Sequence, residues 1–391
     1  MFRFVLKTLG LHKEEARYKQ MIPFYDDMDK IKFTVNRKKF IEHAIKELKL
    51  DSSKLSREYL KLSRGPGRLQ FDEYVLYRLF DAPDLNDAAK REFLSDSQHW
   101  KIVGQANNMS WQIVTEDKFL SYAYLERLGF PTPKTVAVVD PGSRQYGNTP
   151  TLRNVEDLRQ FLKARSKYPL FAKPNHGLGS FGAAMITGSD GHELYLDGAK
   201  PQTMEDGFSE LTIGGAFLLQ EVVNNHAEVL TIAPNLATIR VMNFIHDGKL
   251  FSPFCVLKLP SSSNIADNYW RPGNMLASIN PEDGIVERVV RGKGLTLETL
   301  EAHPETGQPL LGFRIPHWDD VMAMNHKCAF SFETVRFQSA DIAVTPNGPV
   351  MVEVNTGGSF DLPQLASGRG FLTPEMRDIL LSFGLKQFEK L

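Results

Sequence analysis

The chain is 391 residues long, which at about 150 residues per domain predicts two or three domains. Its 46 Lys and Arg against 47 Asp and Glu leave a formal net charge of −1, which excludes the basic excess of a dedicated nucleic-acid binder. A composition of 42% hydrophobic and 24% charged residues excludes wholesale disorder, and no apolar run approaches the ~20 residues of a membrane span.

The opening apolar stretch is short and broken by Lys7, so it predicts no secretory signal. The two cysteines, Cys255 and Cys328, allow neither a disulfide framework nor a cysteine-rich zinc site, and the profile is that of a cytoplasmic enzyme. Residues 1–98 place apolar positions three and four apart over 36–50 and 56–62, break at 63–67, and resume as short helices over 71–80 and 84–93, the second capped by Asp84. This predicts a helical N-terminal module with no chemical motif. Residues 116–128 predict a helix stopped by Gly129, with Pro131 and Pro133 beyond it. A strand over 135–139, a helix over 154–164 and a strand over 170–173 follow. Strands then dominate, over 182–187, 216–223, 237–245, 250–257, 341–344 and 350–355, with helices near 295–302 and 318–332. Hairpins without βαβ alternation predict an α+β fold of packed layers.

Three segments carry chemistry. Over 170–182 a strand delivers Lys173 and runs into a loop with Gly177, Gly179, Ser180 and Gly182. Glycines let backbone N–H groups approach phosphate oxygens, and a lysine adds a point charge. The pattern is no P-loop, because no GK[ST] follows and the next element reads as a strand. Over 340–355 two β-branched runs flank a three-residue turn, Pro346, Asn347 and Gly348. Pairing Thr345 with Pro349 sets Ala343 opposite Met351 and Asp341 opposite Glu353, with Asn355 on the same face. Two opposed carboxylates repel unless something positive lies between them, and three oxygen donors suit Mg²⁺. Over 216–228 an apolar strand ends in Gln220 and Glu221 and breaks at Asn224.

Together, in this order, the segments resemble the ATP-grasp superfamily over about residues 115–370. The sequence around Lys118 is similar to that family's first phosphate lysine, and residues 235–241, 266–270 and 341–350 with Gln364 point to its sugar-transfer-associated branch. The chain departs from that branch at Ser339 and Ala340, where a Gly-Trp pair is usual, and at Arg271, Pro272 and Gly273, where Gly-Gly is usual.

The resemblance implies an α+β ATP-grasp fold behind the helical module. Its parts would be a module over 1–98, a linker and helix over 99–135 carrying Lys118, a small lobe over 136–214 and a large lobe over 215–391, with ATP between the lobes. It implies Lys118 and Lys173 on phosphate, the loop 177–182 as its cover, and Mg²⁺ held by Asp341, Glu353 and Asn355. Gln220, Glu221, Val223, His226, Glu228 and Lys258 become candidates for the nucleotide, the ribose partner being left open among Glu221, His226 and Glu228. Arg240 and Lys173 are the catalytic candidates, with Arg240 steadying the transferring phosphoryl group. Asp267, Asn268, Trp270 and Arg271, in the polar loop 259–274, are expected on the substrate side. The implied reaction activates a carboxylate, for instance a uronic acid of a sugar or surface glycan in polysaccharide biosynthesis, as an acyl phosphate for attack by an amine. The alternatives are a kinase acting on a sugar or small-molecule hydroxyl, and an inactive nucleotide-binding module.

Overall fold

The computed structural model describes residues 33–177 and 179–389, so the opening segment and the first part of the helical module lie outside the described residues. Two seven-stranded sheets organise the rest. The first comprises β1 (Thr135–Val139), β2 (Thr151–Leu152), β3 (Leu170–Pro174), β4 (Ala184–Ser189), β5 (Glu193–Leu196), β6 (Gln202–Thr203) and β7 (Phe217–Glu221), in the order β2-β1-β7-β3-β4-β5-β6. Only β1 and β2 run parallel. The second comprises β8 (Thr238–His246), β9 (Lys249–Leu259), β10 (Met275–Ile279), β11 (Val286–Arg291), β12 (Glu298–Thr299), β13 (Phe337–Thr345) and β14 (Gly348–Thr356). It is antiparallel throughout, in the order β12-β11-β10-β9-β8-β13-β14. The fold is α+β, as the hairpin-rich pattern predicts.

Period-two alternation decides which residues face where. In the first sheet Ala137, Val139, Leu170, Ala172, Phe217 and Leu219 pack with Leu158, Leu162 and Met204 of the helices Val155–Lys163 and Met204–Glu210. Val138 and Leu218 turn to the opposite face, against Tyr122 of the helix Lys118–Arg127. Lys173 pairs with Leu218 across the sheet and therefore shares that second face. In the second sheet Ile239, Val241, Leu257, Ala340, Ile342 and Val354 join Val321 and Cys328 of the helix Trp318–Ser331. The other face carries Met242, Phe244 and Phe337 against Ile102 and Val103 of the helix His99–Ala106.

Residues 33–98 are helical, as expected, and pack on the second sheet through Leu69, Tyr77 and Leu79 against Val256, Leu276 and Val290. Gln364, fully buried, staples the two parts. It accepts from the Leu94 and Phe371 N–H groups and donates to the Leu94 carbonyl and the Tyr77 hydroxyl. Beside it Tyr77 donates to Asp361 at 2.7 Å, and Glu73 accepts from Ser95 and from the Asp96 N–H.

Four sequence readings need correction. Asn86 rather than Asp84 caps the helix at Asp87–Arg91. The helix expected over 116–128 is two helices, Gln112–Glu116 and Lys118–Arg127, because Asp117 leaves the helical region and caps the Leu120 N–H. No helix spans 295–302: a short turn at Gly294–Thr296 leads into β12, with Leu297 and Leu300 packing on different cores, as strand geometry requires. Pairing of the 340–355 hairpin starts at Thr345 with Gly348, one residue earlier than expected.

Burial, and then the neighbouring Asp361, push the Glu73 carboxyl up to about 8. A carboxyl raised on folding binds its proton in the folded state first, so its stabilising contribution is present below its ordinary value and is lost as pH climbs through about 8. Stability should fall from pH 4.5 to about 8 by at most ~1.4 kcal/mol per pH unit for this proton, and Glu73→Gln should flatten that slope. Denaturant unfolding of both proteins at several pH values checks it, and parallel slopes would refute it.

Candidate functional site

The hairpin of β13 and β14 is where the polar groups gather. From the turn, Val344 pairs with Pro349, Ala343 with Val350 and Ile342 with Met351. A β-bulge at Val352 then inserts one extra residue, and Asp341 faces Glu353. The surplus residue changes parity. Met351 and Val354 both sit in the core, while Glu353 and Asn355 turn to the side of Asp341. The expected Asp341–Glu353 opposition is thus present, reached through a shorter turn and a bulge.

Asp341 is 3% exposed and carries two cationic partners. Arg240, its cross-strand neighbour on β8, grips it with both prongs, Nε to Oδ1 at 2.8 Å and Nη2 to Oδ2 at 2.7 Å. Lys258 on β9 donates to Oδ2 at 3.1 Å and reaches Asp267 at 3.3 Å. Burial alone would raise the Asp341 carboxyl, but Arg240 and Lys258 outweigh it and hold it well below the ordinary carboxylate range. Burial likewise works against the Arg240 charge, and Asp341 reverses that to raise the guanidinium above its usual value. The positive charge that two facing carboxylates require is therefore supplied by the protein itself.

Glu353 makes an ion pair with Lys118 at 3.2 Å. Lys118 also donates to the Gly177 carbonyl at 3.0 Å, which ties the first helical residue after Asp117 to the glycine loop. Asn175 holds that helix start from below, its carbonyl accepting from Lys118 N–H and its side chain from Phe119 N–H. Lys173 donates to the Tyr122 hydroxyl at 2.6 Å with its ammonium 5.0 Å from the ring centroid, and Tyr122 in turn donates to the bulged Val352 carbonyl at 2.7 Å. Burial pushes the Lys173 ammonium down to about 8, with Glu353 opposing the shift. Lys118, Arg240 and Lys258 thus pair with Glu353 and Asp341, and Lys173 joins them from the first sheet through Tyr122 and the Val352 carbonyl.

Glu353 and Asn355 keep oxygens available to a hard cation. Lys118 is the ion-pair partner of Glu353, and the Asn355 side chain has no hydrogen-bond partner among the described residues, its Nδ2 being buried and unpaired. Asp341 already has both oxygens engaged. Among the described residues no group of three or more His, Cys, Asp or Glu side chains is arranged to hold a metal, so a cation here would rest on two carboxylates and an amide.

The remaining candidates lie at different distances from this cluster, Asp267 within it through Lys258. Gln220 shares the Lys173 face through its pairing with Phe171 and donates to the Thr135 hydroxyl. Glu221 points to the opposite face and pairs with Lys134 at 3.0 Å, and Val223 follows past the strand end. His226 is tied to Val344 at the turn end of β13 with its ring on His317, and Glu228 is exposed beside it. Asp267 accepts from the Thr238 hydroxyl and makes an ion pair with Lys258. Trp270 packs edge-on against Tyr269, with the Lys293 ammonium over its ring. Asn268 and Arg271 donate to the carbonyls of Gly179 and Ser180 in the glycine loop. Gly179, Ser180 and Gly182 hold φ of +62°, +59° and +72°, and only Ser180 does so against the preference of a side chain.

Tyr122 was missed by sequence reasoning, although it lies four residues after Lys118 on one helix and so shares its face. The Asp117–Arg144 pair, with His176 at 3.2 Å from Asp117, gave no sequence signal because it joins three distant segments.

Asp341→Asn removes the counter-charge of Arg240 and Lys258 while keeping shape. It should cost ~3 kcal/mol or more of unfolding free energy, since the buried Arg240 guanidinium would lose the carboxylate that pairs it. Denaturant unfolding measures this, and a loss below about 0.5 kcal/mol would show that the cations find other partners.

The family model described as sugar-transfer associated ATP-grasp matches residues 97–379. No curated protein matches the sequence. Among solved structures the chain is similar to D-alanine–D-alanine ligase from Bacillus anthracis, at 14% identity and TM-score 0.40, covering 72% of this chain and 71% of that one. It is also similar to the VanG D-Ala:D-Ser ligase from Enterococcus faecalis, at 16% identity and TM-score 0.38, covering 69% and 61%. A third is N5-carboxyaminoimidazole synthase from Aspergillus clavatus, at 8% identity and TM-score 0.37, covering 70% and 58%. The chain spans about three-fifths of the length of the last two.

Proposed function

This chain belongs to the sugar-transfer-associated ATP-grasp family, and from that premise we propose that it is an ATP-dependent ligase joining a carboxylate to an amine, with the nucleotide bound between the two sheets. The observation that carries the reading is the pairing of Lys118, Arg240 and Lys258 with Glu353 and Asp341, with Lys173 linked to the same hairpin through Tyr122, beside a glycine loop. Such a field suits a polyanion that arrives with a divalent cation.

In this reading Lys118 and Lys173 take the phosphate oxygens, and the backbone of 177–182 covers them and excludes water. Glu353 and Asn355, with Asp341 behind them, would hold Mg²⁺, which supplies charge neutralisation on the phosphates when bound. Arg240 steadies charge on the transferring phosphoryl group while its carboxylate partner fixes its planar fork in place. The acceptor carboxylate oxygen attacks the γ-phosphorus and ADP leaves. The amine nitrogen then attacks the acyl carbon, phosphate leaves, and the nitrogen loses a proton. A uronic acid as the carboxylate is the finer proposal. Product analysis with pools of uronic acids and amines tests it: a ligase needs both components and releases phosphate, whereas a kinase needs one and leaves phosphate on the product.

Glu353→Gln keeps size and removes the carboxylate. Turnover should drop by 100-fold or more, on the order of losing one transition-state charge contact, with the unfolding curve little changed. Unimpaired ATP consumption at saturating Mg²⁺ would return this hairpin to a structural role.

Lys173 gives a pH test. With its ammonium at about 8 in the free protein, phosphate binding favours the protonated form and raises that value, so binding takes up a proton near pH 8. ATP affinity should be flat below about pH 7 and fall up to tenfold per pH unit above 8, and Lys173→Met should be weak and flat. Calorimetry in buffers of different ionisation enthalpy reads the proton directly, and no uptake at pH 8 would contradict the assignment.

A further inference from the structure

The loop 259–274 is rooted in one half of the site and reaches the other. Asp267 is anchored on the second sheet, accepting from Thr238 and lying 3.3 Å from Lys258, which also serves Asp341. One residue later Asn268 crosses to the glycine loop, its Nδ2 donating to the Gly179 carbonyl at 2.5 Å. Arg271 donates from Nη2 to the Ser180 carbonyl at 3.0 Å. The two captured carbonyls belong to consecutive residues in the left-handed region, where Ser180 sits against its own preference and needs outside contacts to stay. The approach is close: a Cβ at Gly179 would lie 3.0 Å from Asn268 Nδ2. The Arg271 guanidinium has five N–H donors, and only the bond to Ser180 engages it among the described residues.

We propose that Asn268 and Arg271 are positioning residues for the phosphate end of the nucleotide. They fix the glycine loop in the shape that presents its N–H groups to phosphate, and Arg271 brings a further positive charge to that loop. The proposal rests on the ATP-binding part of the function proposed above and assigns this loop to the triphosphate rather than to the acceptor. A guanidinium with donors left over after holding a carbonyl is matched to an anion, and the anion beside a glycine loop is phosphate.

The test uses the full chain with Mg²⁺ and a non-hydrolysable ATP analogue, with AMP as the comparison. Arg271→Ala should weaken the triphosphate analogue about tenfold, the scale of one charge-assisted hydrogen bond, and leave AMP affinity unchanged. Asn268→Ala should weaken it about threefold with the same contrast. Arg271→Lys keeps charge without the fork and should recover part of the loss. Amide exchange across residues 179–183 should quicken in both alanine variants before any nucleotide is added. Equal losses for the analogue and AMP would mean a general structural role and overturn the proposal. Unchanged exchange and unchanged analogue affinity would overturn it as well. Failure of the unaltered protein to bind the analogue would instead bring down the ATP reading and this proposal with it, so the two failures are told apart by the unaltered protein alone.

Discussion

One surplus residue decides whether this protein has a site at all. Strict alternation from Met351, which must stay in the core, would drive Glu353 inward with it and turn Val352 and Val354 outward. The bulge at Val352 breaks that parity, so Glu353 and Asn355 join Asp341 on the polar face while Val354 returns to the core. The bulge also frees the Val352 carbonyl from a ladder position, and Tyr122 uses it, which in turn fixes the hydroxyl that Lys173 meets. A single insertion thereby aims two oxygen donors on one sheet and orients a lysine on the other.

Charge follows from that geometry. Asp341 is buried and must be paired, and its neighbours by strand register are Arg240 on one side and Glu353 on the other. Arg240 takes both oxygens, Lys258 adds a second cation, and Lys118 answers Glu353 from the helix that begins at Asp117. The helix break at Asp117 matters here. It puts Lys118 at the first turn, beside Asn175 and the Gly177 carbonyl, instead of in mid-helix with its side chain fixed by a continuing ridge.

The strands bearing chemistry were legible because they obey short-range rules: a β-branched run on either side of Pro-Asn-Gly, and a strand feeding a glycine loop. The Asp341–Glu353 opposition was reached from the wrong register. A turn pairing one residue shorter than expected and a bulge of one residue cancel, and a bulge leaves no local mark when the extra residue is another valine. Arg240 as the partner of Asp341 was not legible, since their register is set by the pairing of β8 with β13 across about a hundred residues of chain. Glu221 shows the converse. Its place at a strand end beside Gln220 is suggestive in one dimension, but neighbouring strand residues face opposite ways, and only Gln220 looks toward Lys173. The helix expected over 295–302 fell to the same cause as most short apolar runs, a tertiary partner, here β11, that favours a strand.

The four cations are not equivalent, and the difference says which of them has binding capacity to give. Arg240 and Lys258 are held by Asp341, so an incoming anion must share them with a carboxylate already in place. Lys118 is divided between Glu353 and a carbonyl. Lys173 alone is paired to a neutral phenol, and burial has already lowered its hold on the proton. A partly desolvated ammonium with no carboxylate in contact gains most from an anion, because part of its desolvation precedes the ligand. The first three cations set the field and the geometry; Lys173 holds the free valence, and its strand leads directly into the glycine loop that Asn268 and Arg271 hold from the other sheet.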